Sequence, residues 1–277
     1  MFPILLAAVS AVAFGTADFS GGKASRRADP IAVTVVSQLL SVPLLVALVL
    51  LVPGSPTVAD IAWGLLAGMA GAGGIVLLYR ALAGGMMAVV APVTAITAAV
   101  VPIVAGLFTT TFPGAPALTG AGLAVVAIAL VSLGEGGGRP TVPARLVGLA
   151  LAAGALFGVF FTLLGQASES AGMWPVAAVR TSSIAIGLLL AAGTGVRLRL
   201  GRRVLGWAAL AGLLDSAANA LFLAAAARGH LSIVAAIAAL YPASTVLLAL
   251  AVDRERLRPV QIAGLGFAAG ALVLASI

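Results

Sequence analysis

Apolar runs of about 20 residues, enough at about 1.5 Å of rise per residue to cross about 30 Å of hydrocarbon, follow one another along the whole chain with only short polar breaks between them. Ten fit, at 3–22, 31–52, 61–82, 86–108, 116–134, 146–165, 175–193, 204–227, 231–252 and 259–277. None alternates apolar and polar residues with the period of two that a barrel strand needs. Backbone polar groups in lipid must be bonded within their own segment, so these runs predict helices. The expected fold class is an all-α integral membrane protein of about ten transmembrane helices. Met1-Phe2-Pro3 supplies no basic start, so the first run is read as a retained helix rather than a secretory signal.

The same pattern occurs twice. Sliding the chain by 144 positions superimposes Trp63 on Trp207, Gly68 on Gly212, Gly85 on Gly229, Gly120 on Gly264 and Gly122 on Gly266. At a shift of 143, Phe14-Gly15 falls on Phe157-Gly158, and at 145 Pro30 falls on Pro175. Coincidences of Trp and Gly over so long a stretch predict an internal duplication. We place the first five-helix repeat at 1–134, a linker at 135–145 and the second repeat at 146–277. An odd number of spans per repeat makes the second enter the membrane from the opposite side, so the repeats are expected to be inverted, with a site near the midplane between them.

Composition agrees with the pattern: 62% of the 277 residues are hydrophobic and 8% charged, where soluble domains carry roughly 25% charged residues. The absence of cysteine excludes disulfides, thiolate metal sites and thiol nucleophiles. A net charge of +7 is compatible with nucleic acid as a partner, but the basic residues are scattered among the connections between spans, where they report orientation instead. Lys23, Arg26, Arg27, Arg139, Arg145, Arg197, Arg199, Arg202, Arg203, Arg254, Arg256 and Arg258 follow odd-numbered spans and Arg80 lies at the end of one, whereas only Arg228 lies on the other side and Arg180 lies inside a span. The positive-inside rule therefore predicts cytoplasmic odd connections, with both termini outside a cytoplasmic membrane.

In the residues Phe14-Gly15, Phe157-Gly158, Tyr79-Arg80-Ala81-Leu82, Gly84-Gly85 and Asp253-Arg254-Glu255-Arg256-Leu257, the chain resembles the EamA-domain branch of the drug/metabolite transporter superfamily, in its ten-helix form with two EamA units. The resemblance spans essentially the whole chain. It implies a central cavity lined by spans 1, 3, 4, 6, 8 and 9, with 5 and 10 outside. It also implies termini on the inside, against the charge count, which we follow. Thr109-Thr110-Thr111-Phe112-Pro113 departs from the family's acidic-basic turn in the first unit.

An ionised side chain at a helix centre costs about 2.5–3.5 kcal/mol on insertion scales, so each one needs a reason. Asp215 lies deep in span 8, where its repeat counterpart is Gly71, and Asn219 shares its face one turn on. It is read either as a ligand for a cation, an amine or a proton, or as half of a buried ion pair. Arg180 in span 7 lies about 8 Å deep and Asp215 about 18 Å from the same end. That offset favours Arg180 reaching outward to Glu169 over direct contact with Asp215. Asp18 and Arg80, late in spans 1 and 3, are expected to form a structural or gating ion pair, with direct substrate contact as the second reading.

Pro92 and Pro102 in span 4 and Pro242 in span 9 each remove a helix hydrogen bond. Thr94, Thr97 and Ser244 beside them either line a ligand site at such a break or satisfy the freed carbonyls. Tyr241 offers a hydroxyl or ring to a substrate, or packs. His230, the single histidine, reads as a solvated turn residue. No His, Asp or Glu grouping has metal-ligand spacing and no nucleophile stands beside a base, so no cofactor, metal or catalytic residue is expected. The chain is read as a secondary transporter, exporter or exchanger, of a small organic metabolite or drug. Its partners are that substrate and the lipid bilayer, without nucleic acid, and it is a monomer or homodimer. A passive channel or scaffold and a membrane-embedded enzyme are the competing readings.

Overall fold

The computed structural model describes residues 2–106, 142–226, 241–254, 257 and 259–275, with six further positions between 119 and 130. Nine α-helices are described: α1 Phe2–Ser25, α2 Pro30–Leu51, α3 Val58–Ala83, α4 Met87–Gly106, α5 Ala144–Leu164, α6 Trp174–Thr194, α7 Arg202–Ala226, α8 Pro242–Val252 and α9 Pro259–Ala275. Six of them, α1 to α3 and α5 to α7, are long and apolar enough to cross a membrane. The fifth predicted span falls on 116–134, where only the six separate positions are described, all of them helical. His230, Arg228, Arg139, the side chain of Pro102 and the linker 135–141 lie outside the described residues.

The helix ends follow local chemistry. Asp29 caps α2 by accepting the Ile31 N–H at 2.8 Å, with Pro30 at the first helical position, where no N–H is needed. Thr57 and Asp60 form a reciprocal capping box on α3. Gly195 ends α6 in the left-handed region at φ 68°, where only glycine is free of a Cβ penalty. Between α3 and α4 the chain turns through Gly85 and then Met86, a non-glycine residue held at φ 57°.

The helices of one half pack mainly on those of the other. α1 lies along α7 as α5 lies along α3; α6 lies against α3 as α2 lies against α7; α8 meets α1 as α4 meets α5. The glycines that recur in the sequence stand at these crossings. A Cβ on Gly68 would strike the Val179 carbonyl and Ser182 Oγ, while a Cβ on Gly212 would strike the Ser37 backbone. Ser182 and Ser37 are 145 positions apart. Likewise Gly158 faces the Ala98 carbonyl and Val101, and Gly15 faces the Tyr241 carbonyl and Ser244, each pair being offset by 143. Close backbone approach through small residues is how membrane helices associate where no hydrophobic effect separates protein from lipid. The repeat read from the sequence is therefore a repeat of helix crossings.

Polar contacts tie the halves at opposite ends. At one end Asp253, after α8, accepts from Lys23 and, at 2.6 Å, from Arg26 at the end of α1. At the other, Asp60 at the start of α3 accepts the Ser168 N–H at 2.7 Å and its hydroxyl at 3.1 Å, and Ser55 donates its N–H to the Ser170 carbonyl. Neither tie was anticipated from the sequence.

Candidate functional site

α6 packs on α3 and α2, and α7 on α1 and α2, so these consecutive helices stand apart. The Arg180 side chain bridges them. Its Nη2 donates to Asp215 Oδ2 at 2.7 Å and to Ser216 Oγ at 3.1 Å, and Arg180 is only 7% exposed. This corrects the expectation that Arg180 turns outward to Glu169, whose side chain lies outside the described residues. Depth along two helix axes ignores the reach of an arginine stem and the tilt of the helices. Given a carboxylate inside, the guanidinium gains a charge-assisted hydrogen bond by turning inward.

Asp215 keeps 30% of its side chain accessible. Asn219, one turn on, donates its Nδ2 to the Asp215 backbone carbonyl at 2.8 Å, a bond that uses up one amide proton within the helix. Asp18 on α1 lies within electrostatic reach of Asp215. No cation among the described residues pairs with it.

The expected Asp18–Arg80 pair is not formed. Asp18 faces the interior of the bundle beside α7, while Arg80, in the last turn of α3, is exposed on the outside. Both sit at similar depth, but helix rotation turns the two side chains apart. Tyr79, the residue before Arg80, takes the inward position instead. Its ring lies over Gly21, one turn beyond Asp18, its hydroxyl reaches Ser37 of α2, and it is within electrostatic reach of Asp18, Asp215 and Arg180. Tyr241 approaches from α8, within reach of Asp18 and with its ring 6.2 Å from that of Phe14.

Two carboxylates, one guanidinium and two phenols from five helices thus converge between the halves. Thr94, Thr97 and Ser244 do not join them. Thr94 is buried against Gly154, Thr97 Oγ1 donates to the Val93 carbonyl at 2.7 Å, and Ser244 Oγ donates to the carbonyls of Tyr241 and Ala11. They line helix seams, where Thr97 and Ser244 satisfy backbone carbonyls and the buried Thr94 hydroxyl has no hydrogen-bond partner among the described residues. Among the described residues no group of three His, Cys, Asp or Glu is placed to hold a metal ion.

The model of the EamA-like transporter family matches residues 1–133 and again 145–277. The chain belongs to the EamA-like transporter family. No curated protein shows significant similarity to it. The EamA match fills both halves of the chain, and with the apolar helices it makes this a multi-pass membrane protein of the drug/metabolite transporter type. Within this EamA protein, Tyr79 was visible in the sequence only as part of the family's Tyr-Arg-Ala-Leu stretch, with nothing local to say that the tyrosine and not the arginine points inward. Asp253 was likewise visible only as the opening residue of its motif.

Proposed function

We propose that the chain is a secondary carrier of small organic solutes, an exporter or exchanger, working by alternating access between two inverted five-helix repeats, ten helices in all. Its site is the convergence of Asp18, Asp215, Arg180, Tyr79 and Tyr241. The observation that carries the reading is the inequality of the two carboxylates. Arg180 neutralises Asp215, so Asp215 and Arg180 form the fixed wall of the site. Asp18 has no counter-cation among the described residues, and the site stays one negative charge in excess when both carboxylates are ionised. Like charges in low dielectric disfavour that state. Asp18 is therefore the exchangeable group, neutralised in turn by a proton, a cation or a positively charged part of the substrate.

The opposite ends of the molecule supply the gates. Opening the Asp253 tie while the Asp60 tie holds exposes the site to one side, and the reverse exposes it to the other. Inverted repeats make the two movements equivalent. Thirteen basic residues on or next to the odd connections put the Asp253 end in the cytoplasm and both termini outside the cytoplasmic membrane. The carrier acts as a monomer or homodimer and needs no cofactor.

The test is uptake and counterflow in proteoliposomes. A carrier shows trans-stimulation by internal substrate, whereas a pore does not and an enzyme consumes the solute. Asp18→Asn is expected to fold and to lose gradient-driven uptake by at least about tenfold, a factor worth about 1.4 kcal/mol. Undiminished coupled transport by a well-folded Asp18→Asn protein would remove Asp18 from the mechanism.

A further inference from the structure

Between α6 and α7 the chain does not loop freely. After Gly195 turns it, the Val196 N–H bonds back to the Ala191 carbonyl at 2.9 Å, and residues 196–200 continue without helix or turn. Exposure alternates along them. Val196, Leu198 and Leu200 are half-buried, the first two against Ile31, Val35, Val76 and Ala191, while Arg197 and Arg199 between them are exposed. An extended segment sends successive side chains to opposite faces, so the two arginines point outward together, about 7 Å apart. Arg202 and Arg203, both exposed, follow in the first turn of α7.

None of these four arginines has an ion-pair partner among the described residues. Among the described residues, two carboxylates at the ends of helices are already engaged: Asp29 in capping α2, and Asp253 by Lys23 and Arg26. No acidic residue stands in the first turn of α7, where the helix dipole is itself positive and compounds the repulsion. Leu189 and Leu205, on the membrane helices to either side of the strap, are 67% and 39% exposed. The arginines therefore sit just beyond a lipid-facing apolar surface, at the level of phospholipid headgroups.

We propose that residues 196–203 form a docking surface for anionic phospholipid headgroups, held in shape by the buried face of the strap. Positive-inside orientation needs only basic residues in this connection. It does not need them fixed in alternation against a packed apolar row. Bound lipid phosphates would span α6 and α7, the two helices that carry Arg180 and Asp215.

The experiment uses the full chain in nanodiscs of phosphatidylcholine with or without phosphatidylglycerol, reading thermal unfolding and, by mass spectrometry, the phosphatidylglycerol that stays bound after dilution into detergent. Phosphatidylglycerol is expected to raise the melting temperature of the natural chain and of an Arg80→Gln control, with the rise shrinking at high salt. The Arg197→Gln, Arg199→Gln double variant should melt like the natural chain in phosphatidylcholine. Its preference for phosphatidylglycerol should fall by roughly fivefold per arginine, about twentyfold or more for both. A double variant that retains the preference overturns the proposal. An equal rise with inorganic phosphate alone would also overturn it, by making the surface a general anion site and not a lipid one.

Discussion

The two halves of this protein share their scaffold and differ in their chemistry. The crossings of Gly68 on α6 and Gly212 on α2, or of Gly15 on α8 and Gly158 on α4, fall on equivalent residues of the two halves. The charges do not repeat. Arg180 and Asp215 in the second half stand where the first has Val35 and Gly71, and Asp18 stands where the second has Phe161. A crossing tolerates only residues small enough for two backbones to meet, so duplication left it unchanged in both copies. A charged site between two related halves needs its groups once, and copying them would have doubled the cost of burying them. The glycines therefore mark what the two halves share, and the charges mark where they differ.

The largest effect is expected from breaking the scaffold. Gly212→Leu drives a side chain into the Ser37 backbone, and Gly68→Leu into the Val179 carbonyl, each costing roughly 3 kcal/mol or more because backbone cannot yield as a side chain does. Both should abolish monodisperse protein in detergent. Gly206→Leu, where a Cβ meets nothing within 4 Å, should not. Equal yields for all three would show that the repeated crossings do not hold the halves together.

Next comes the Arg180–Asp215 pair, whose arginine is buried and whose carboxylate is partly exposed. Arg180→Gln leaves Asp215 beside Asp18 without its cation and is expected to destabilise by about 2–3 kcal/mol, below the roughly 3–5 kcal/mol of a fully buried pair. Adding Asp215→Asn should restore most of that stability while leaving transport absent. A double variant no more stable than Arg180→Gln, read as detergent half-life or unfolding midpoint, would mean that Arg180 acts through other contacts.

Asp253→Asn is a milder change, removing the charge from a carboxylate held by two partly exposed cations at one end only. About 1–3 kcal/mol of local stability is at stake. Hydrogen exchange should rise at the end of α1 and stay unchanged at the Asp60 end, and transport kinetics should become unequal between the two directions. Faster exchange at both ends would show that the ties are not independent.

Orientation carries no energetic penalty and is read by labelling, which the absence of cysteine makes clean. Ser55→Cys, exposed on the α2–α3 connection, should react with an impermeant maleimide added outside intact cells, while Gly201→Cys, exposed beside the arginine strap, should react only after the membrane is opened. The reverse pattern would place the strap, and the Asp253 tie with it, outside.

Much of the fold was legible before any coordinates. Run length and the lack of alternation specify membrane helices, because the bilayer sets the length and forbids unpaired backbone. Span ends came within a few residues for the described helices other than α8, which is described only from Pro242 where the predicted span began at 231, since Pro30, Thr57 and Gly195 mark ends chemically. The duplication was legible because close crossings demand glycine at fixed intervals, and intervals survive in a sequence. What the sequence could not specify was rotation about each helix axis and the reach of each side chain. Tyr79 and Arg80 are adjacent, and one turns inward to the site and the other outward. Arg180 and Asp215 differ by about 10 Å in depth along their axes, yet a long stem closes the gap once α2 and α3 hold α6, and α1 and α2 hold α7, in place. The sequence by itself determined which residues are costly in a membrane. Only the tertiary structure decided which of them neutralise one another, Arg180 with Asp215, and which, Asp18, has no ion-pair partner among the described residues, because that depends on how helices distant in the chain are turned against each other.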